Sequence, residues 1–180
     1  LWWNGESGSY YNGSTTATTV NFTNYKLSDK AKSYITISRY YLGGYNTIQG
    51  VKTNQFYTYE RGTNRYDTSR PLYWDGYVGL MYPSDFGYAA GNTCVTGTKL
   101  YDYSGGCMNK DWIYISNTDQ WLMSPNSGDS YSVFHVSSFG YVNYGYKSNN
   151  PRSVSPVFFL NSSASITGGN GTLDAPYILS

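Results

Sequence analysis

The sequence offers few of the residues from which an active site is usually built. It contains one histidine, His135, two cysteines and 11 acidic residues among 180. A hydrolase of the Ser/His/Asp type would have to use His135, and no nucleophile-elbow glycine pattern surrounds a serine near it. One histidine and two cysteines make no convincing zinc site, and no EF-hand calcium loop is present. The sequence therefore predicts a protein that is not an enzyme, with no metal and no cofactor.

Glutamate is especially scarce, because only Glu6 and Glu60 are present. Glycoside cleavage needs two convergent carboxyl groups, whereas the aspartates occur singly in segments with turn residues. Glu60, within the sequence TYERG, is interpreted as a buried charge partner of Arg61 or Arg70 rather than as a catalytic acid.

Excess charge and long apolar runs are missing too. Twelve basic residues against 11 acidic residues give a formal net charge of +1, so no strong field attracts nucleic acid or anionic lipid. The chain has no run of 18 apolar residues and does not open with a signal-peptide pattern. We expect no nucleic-acid partner, and a membrane contact only through a further N-terminal segment.

Tyrosine is the residue present in excess. The chain has 22 tyrosines, about 12% of it, so the 39% hydrophobic content falls to about 27% without them, low for a globular domain. Tyrosine must therefore serve both core and surface. Aromatic residues suit strands, but tyrosine combined with Ser, Gly and Asn is also typical of binding loops. We favour the strand interpretation for most of the chain and the binding interpretation for Asn126 to Asn150.

The two cysteines, Cys94 and Cys107, flank the Gly-rich segment VTGTKLYDYSGG and lack metal-ligand spacing. This pattern favours a structural disulfide and an oxidising compartment. A pair of reduced, buried thiols is the alternative.

The length fits one main domain, residues 25–180, after an irregular lead-in, residues 1–24. The segment LSDKAKSYI predicts a short helix, because Ser28 can cap it and Asp29 suits its first turn. Eight short runs between turn signals predict strands: ISRYYLGGYNT, NQFYTYERG, GYVGLMYPSDFGY, DWIYI, QWLMSP, YSVFHV, GYVNYGY and VSPVFFLN. The predicted class is α+β, β-rich, with long loops and one disulfide.

The segment from Ser132 to Asn150 holds the only histidine and a series of tyrosines. SVFHV and YVNYGY flank SSFG, whose Gly140 can adopt the positive φ that a short hairpin loop requires. Alternation then directs one set of side chains to the core: Phe134, Val136 and Val142. The opposite face would carry Val133, His135, Ser137, Tyr141 and Asn143.

An ordered series of these segments resembles a family of surface proteins from gut Firmicutes, which carry a pilin-like N-terminal segment and a C-terminal C-type-lectin-like domain. The resemblance spans roughly Tyr40 to Leu179 and rests on the following: YYLGGYNT, YTYERG, RPLYWDGYVGLMYPSDFGYAA, the cysteine pair followed by DWIY, QWLMSP, VFHVSSFGYV and VSPVFFLNSSASITGGNGTLDAPYIL. The chain departs from the family at Ser155, where an arginine is expected.

The resemblance implies a C-type-lectin-like fold for residues 25–180, preceded by an N-terminal pilin helix. Domains of this kind include targets of diversity-generating retroelements, whose adenine-directed mutagenesis scatters Asn, Tyr, Ser, Asp, His, Phe and Gly over surface positions. Residues between Asn126 and Asn150 are drawn heavily from that set. The predicted ligand-binding face consists of Asn126, Asp129, Tyr131, His135, Ser137, Phe139, Tyr141, Asn143, Tyr144, Tyr146, Ser148 and Asn149.

The expected function is non-catalytic ligand binding at a bacterial cell surface or pilus. The partner would be a protein or glycan on a host, a phage or a neighbouring cell. One alternative is a structural pilin subunit whose Tyr-rich face binds other pilin subunits. Another is an enzyme related to the sulfatase-modifying oxidases, which would need reactive thiols at Cys94 and Cys107.

Overall fold

The computed structural model describes residues 28–103, 105–109, 113–146, 152–172 and 174–180. The predicted lead-in, residues 1–24, lies outside them. The described residues form a mixed α+β fold with more strand than helix, so the predicted β-rich α+β class is confirmed.

Five short helices are present in these ranges: α1 (Asp29–Tyr34), α2 (Thr53–Glu60), α3 (Pro83–Ala89), α4 (Asn92–Gly97) and α5 (Gly105–Met108). A 3₁₀ turn covers Leu100–Asp102. The strands are β1 (Ile35–Thr36), β2 (Ser38–Tyr41), β3 (Tyr73–Gly76), β4 (Val78–Leu80), β5 (Gln120–Pro125), β6 (Ser132–Val136), β7 (Val142–Tyr146), β8 (Ser153–Val154), β9 (Pro156–Leu160), β10 (Ile166–Gly168) and β11 (Ile178–Leu179).

The strands form two main sheets and two hairpin-like pairs. One sheet has the order β7-β6-β5-β8, and the other has the order β1-β9-β4. All pairs are antiparallel except β5 with β8. The separate pairs are β2 with β3 and β10 with β11. The two main sheets are joined by a hydrogen bond from the Met123 amide to the Met81 carbonyl, 2.9 Å long.

The predicted helix at the start of the described chain is confirmed. α1 begins after Ser28, whose hydroxyl oxygen accepts a hydrogen bond from the Ala31 amide at 3.1 Å. This is the N-cap contact expected of serine, and Asp29 lies in the first turn as predicted.

One segment predicted as a strand, and the second half of another, are helices instead; the first half of GYVGLMYPSDFGY forms β4 as predicted. NQFYTYERG lies mostly in α2, because Thr53, Phe56 and Glu60 follow helical spacing and all three are buried. Gln55 also accepts a hydrogen bond from the Lys52 amide at 2.9 Å, half of a capping box. The second half of GYVGLMYPSDFGY forms α3, which begins with Pro83 at a position that suits proline.

Of the remaining predicted strands, DWIYI is not confirmed: Asp111 and Trp112 lie outside the described residues, and Ile113–Ile115 form a turn and irregular chain. QWLMSP, YSVFHV, GYVNYGY and VSPVFFLN all contain strands, as predicted.

The main core lies between the helices and one face of the β7-β6-β5-β8 sheet. Phe56, Phe86, Leu100, Leu122 and Phe134 are at most 1% exposed within it. A second cluster packs on the opposite face of β5. It contains Tyr40, Leu80, Tyr82, Trp121 and Met123.

The predicted disulfide between Cys94 and Cys107 is present, and neither cysteine is free. It joins α4 to α5 beside the main core, where both cysteines are buried. The reduced-thiol alternative is therefore wrong.

The predicted β6–β7 hairpin is also confirmed. His135 pairs with Asn143 and Phe134 pairs with Tyr144, while Phe134, Val136 and Val142 are fully buried. Gly140 has a φ of 82°, as the loop requires. A Cβ at this position would lie 2.3 Å from Cγ of Met108, so close packing requires glycine as well.

The apolar run near the C terminus forms β9, the central strand of its sheet. The strand predicted in VSPVFFLN therefore has a neighbour on each edge. At Ser155, where the resemblance expects arginine, the hydroxyl oxygen lies 3.1 Å from Nε2 of Gln120 and accepts its hydrogen bond.

Candidate functional site

Three residues of the predicted binding face are buried. Asn126, His135 and Ser137 are 2%, 6% and 6% exposed, so their assignment to an exposed face is wrong. The Asn126 side chain accepts a hydrogen bond from the Gly128 amide at 2.6 Å, which stabilises a turn. Strand alternation placed His135 on the correct side of β6, but that side is covered by Trp121 and neighbouring residues.

His135 is a buried, neutral imidazole rather than a surface contact. Its ring meets Trp121 edge-on, and its Nδ1 atom has no hydrogen-bond partner. Burial lowers the pKa of His135 to about 4, and the nearby Arg152 guanidinium lowers it further while Asp119 opposes the shift. Arg152 itself pairs with Asp119 at 2.7 Å. With 6% exposure, His135 is not accessible as a general base for an external substrate.

Glu60 and its neighbours form a second buried polar cluster. Glu60 is fully buried, its Oε1 accepts from the Ser84 amide at 2.9 Å, and its Oε2 pairs with Arg61 at 3.0 Å. The predicted burial of Glu60 and its contact with Arg61 are confirmed. Burial raises the pKa of Glu60 to about 8, against the opposing effect of its Ser84 hydrogen bonds. Since Glu60 has no exposed surface, the cluster is structural.

Three further predicted residues, Asp129, Tyr131 and Asn143, lie in or near the hairpin. Asp129 accepts from the amides of Tyr131 and Ser132, at 2.9 and 2.6 Å, so it stabilises the turn before β6. Tyr131 itself is 46% exposed. Asn143 is half-buried and its side-chain oxygen accepts from the Tyr144 amide at 2.8 Å.

Tyr144 packs partly against the main core. It is half-buried and packs edge-on against Phe134, with ring centroids 5.7 Å apart. Tyr144 therefore supports the core with part of its ring, and its assignment to the ligand-binding face stays a prediction. Tyr146 is the last residue of β7 and pairs with Ser132. Ser148 and Asn149 lie outside the described residues.

The structure does bring two of the predicted residues together, at the tip of the β6–β7 hairpin. Phe139 is 73% exposed, more than any other large hydrophobic side chain among the described residues. Its ring stacks parallel to Tyr141 at 6.5 Å, and Tyr141 contacts Tyr101 at 5.4 Å. We name these three residues, Tyr101, Phe139 and Tyr141, the hairpin-tip cluster. Tyr101 was not predicted, because its contact with the hairpin depends on the tertiary fold.

The loop that carries Phe139 is held by five hydrogen bonds. The Ser137 amide donates to the Tyr141 carbonyl, and the Ser137 carbonyl accepts from the Gly140 amide, both at 2.8 Å. The Ser137 hydroxyl accepts from the Phe139 amide at 3.1 Å. The Ser138 amide donates to Asp119, and its carbonyl accepts from the Tyr114 hydroxyl. The buried Ser137 therefore positions Phe139 instead of contacting a ligand.

A second exposed aromatic surface was missed by sequence reasoning. Four tyrosines and two arginines form what we name the Tyr-Arg surface, which runs in the order Arg39, Tyr73, Tyr41, Arg61, Tyr57 and Tyr88. Arg39 lies 3.7 Å over the Tyr73 ring and Arg61 lies 3.6 Å over the Tyr57 ring. All four tyrosines are 37–48% exposed.

The charges of the Tyr-Arg surface are paired within the protein. Arg39 makes two hydrogen bonds to Asp75, both 2.9 Å, which lower the pKa of that carboxyl. Arg61 pairs with the buried Glu60. Arg39 and Asp75 are cross-strand neighbours, as are Tyr41 and Tyr73. Strand alternation could have predicted part of this surface from the sequence, because the odd-numbered residues of β2 and β3 face solvent.

Within the described ranges, no group of three or more His, Cys, Asp or Glu side chains is placed to hold a metal ion. The helices of the same ranges are all too short or too polar to span a bilayer. Among known proteins, no family model, no curated protein and no solved structure matches this chain.

Proposed function

We propose that this is a non-catalytic, extracellular ligand-binding domain with a C-type-lectin-like architecture, carried by a pilin-like surface protein. Its ligand is a protein or glycan on a host, a phage or a neighbouring cell. The hairpin-tip cluster makes the central contact. The observation that carries this proposal is Phe139, whose exposed ring stands on a loop fixed by five hydrogen bonds.

An exposed phenylalanine on a fixed loop is suited to recognition. Its apolar surface gains free energy when a partner covers it, and a loop that is already ordered loses little entropy on binding. Tyr141 and Tyr101 extend the apolar area and add hydroxyl groups that can hydrogen-bond a ligand. Interface energy usually concentrates in a few such aromatic residues.

The residue types of the segment also support diversification by a retroelement. Asn, Tyr, Ser, Asp, His and Phe between Asn126 and Asn150 are types that adenine-directed mutagenesis produces. The burial of Asn126, His135 and Ser137 restricts useful variation to the exposed positions Tyr131 and Phe139 and the half-buried Tyr141. Buried variants would change stability before they changed recognition.

A second function is favoured by the Tyr-Arg surface. Tyrosine and arginine are enriched at protein interfaces, and internally paired charges suit contact with another subunit. On this alternative the domain is a structural pilin subunit, and the Tyr-Arg surface binds neighbouring subunits.

One experiment tests the proposal. The labelled 180-residue chain is applied to an array of glycans and to immobilised bacterial surface proteins, beside Phe139→Ser and the matched control Ile37→Ser. Ile37 is also exposed, at 58%, but lies between β1 and β2. We expect Phe139→Ser to weaken binding at least about tenfold, roughly 1.4 kcal/mol, while Ile37→Ser binds like the parent chain.

Equal binding by the parent chain and Phe139→Ser, or no binding to either array, would contradict the proposal. Sedimentation velocity over a range of concentrations separates the alternative. Assembly that Tyr57→Ser removes and Phe139→Ser leaves intact would favour the structural subunit.

A further inference from the structure

The segment closed by the disulfide between Cys94 and Cys107 contacts the β6–β7 hairpin at its tip. Tyr101 lies within this segment, in the 3₁₀ turn. Its ring centroid is 5.4 Å from that of Tyr141, and the two ring planes are tilted by 58°. One member of the hairpin-tip cluster therefore comes from the disulfide-closed segment, and the other two come from the hairpin itself.

A second contact comes from Met108, the residue that follows Cys107 and ends α5. A Cβ placed on Gly140 would lie 2.3 Å from Cγ and 2.5 Å from Sδ of Met108. The half-buried Met108 side chain therefore packs directly against the Gly140 backbone. Gly140 adjoins Phe139 in the chain, so this contact supports the loop beside its exposed ring.

The turn that carries Tyr101 has anchors besides the disulfide. Leu100 is fully buried, and its amide donates to the Val51 carbonyl at 2.9 Å. Tyr103 is also buried, and its hydroxyl donates to the Gly87 carbonyl at 3.1 Å. The position of Tyr101 is therefore fixed from both sides of the turn.

The short helix α5 depends on the disulfide instead. Cys107 is the buried residue among its four, and a helix of one turn is not stable by itself in water. α5 begins with Gly105 and Gly106, which are exposed, and glycine loses more conformational freedom on ordering than any other residue. The bond from Cys107 to Cys94 joins α5 to α4 and the main core. Met108 is thus held in place through its neighbour Cys107.

We propose that this disulfide positions the ligand-binding site: it fixes α5, and Met108 of α5 holds the loop that carries Phe139. The disulfide then acts on recognition as well as on the stability of the fold. A loop held in its bound form loses little entropy when a ligand covers it, whereas a loosened loop must first be ordered. The consequence for recognition rests on the proposed function, but the positioning is measurable without a ligand.

Amide hydrogen exchange, followed by NMR on the 180-residue chain, tests the positioning. The reporters are the Ser137 and Gly140 amides, which bond within the loop. With Cys94→Ser and Cys107→Ser combined, we expect both amides to exchange at least about tenfold faster, because the loop opens locally more often. The matched control is Leu80→Ala, a truncation in the second cluster, where Leu80 is 4% exposed. It lowers global stability and should leave exchange in the loop unchanged.

Equal acceleration of the loop amides in the two variants would overturn the inference, because the disulfide would then act through global stability alone. Met108→Ala keeps the disulfide and should also speed exchange of the Gly140 amide. Unchanged exchange in Met108→Ala would overturn the inference as well, and this variant decides the question if the double serine variant does not fold.

The glycan and surface-protein arrays separate this inference from the proposed function. Met108→Ala should bind at least about tenfold more weakly than the parent chain. Faster exchange with unchanged binding would overturn the role of the disulfide in recognition. A parent chain that binds neither array would contradict the proposed function, while the exchange rates would still decide the positioning of the loop.

Discussion

Two apolar strands of this domain differ sharply in what covers them. β5, with the sequence QWLMSP, is buried along all but its last residue. β9, with the sequence PVFFL, has only Val157 half-buried, and its remaining residues are exposed. Each strand is hydrogen-bonded to a neighbouring strand along both of its edges, so strand pairing does not explain the difference in burial.

The difference arises from the layers above and below each sheet. Leu122 of β5 packs in the main core beneath the helices, while Trp121 and Met123 pack in the second cluster on the opposite face. β9 has a core on one face only, and Phe158 and Leu160 on its other face line an open groove beside α1 and β11. An apolar sequence therefore indicates that a strand needs cover, but the cover itself depends on other segments.

Phenylalanine truncation in the two sheets should have the largest effect on stability. Phe134→Ala in β6 should lower the free energy of unfolding by about 3–5 kcal/mol, because the ring is fully buried among Phe56 and Tyr144. Phe158→Ala in β9 should cost only about 1 kcal/mol, since nearly half of the residue is exposed. Denaturant unfolding measures both, and equal costs would show that the two faces are equally covered.

Removal of the buried disulfide should have the next largest effect on stability. Cys94 and Cys107 are 13 residues apart, so replacing both by Ser should lower the free energy of unfolding by about 3 kcal/mol in the chain-entropy model. The parent chain treated with a reductant is the matched control and should lose a similar amount. Unchanged stability under oxidising conditions would contradict the structural role of the disulfide.

Local sequence signals predicted much of the fold. Ser28 identified the start of α1, Gly140 identified the hairpin loop, and alternation directed Phe134 and Val142 to the core. The same kind of signal was present for α2 and α3 but was outweighed by their tyrosines and phenylalanines, which also suit strands. Pro83 and the helical spacing of Phe56 and Glu60 would have identified these helices.

The predicted binding face was less accurate because alternation assigns a side chain to a face without showing what covers that face. His135 and Asn143 point away from the main core as expected, yet the second cluster and Arg152 bury His135. Phe139 differs because it lies in the loop between β6 and β7, where 73% of it is exposed. The Tyr-Arg surface depends on residues far apart in sequence, such as Tyr41 and Arg61, and no local pattern joins them.

The smallest of the three effects is a pH dependence from Glu60 and His135, two buried groups whose pKa values are strongly shifted. The pKa of Glu60 rises from about 4.3 in the unfolded chain to about 8 in the folded domain. The folded domain therefore binds more protons than the unfolded chain in this interval, and its stability falls as pH rises through it. The pKa of His135 is instead lowered from about 6.5 to about 4, so its contribution rises over that lower interval.

The two contributions oppose each other up to about pH 6.5, above which only that of Glu60 remains. We expect the free energy of unfolding to fall between about pH 6.5 and 8, with a slope of at most about 1.4 kcal/mol per pH unit. Denaturant unfolding across this range measures the slope, and Glu60→Gln should remove it. His135→Gln, the matched control, should retain the fall and extend it to lower pH. Stability that stays constant between pH 6.5 and 8 would contradict this prediction, because it would mean that Glu60 is ionised in the folded domain, with its attraction to Arg61 exceeding the cost of burial.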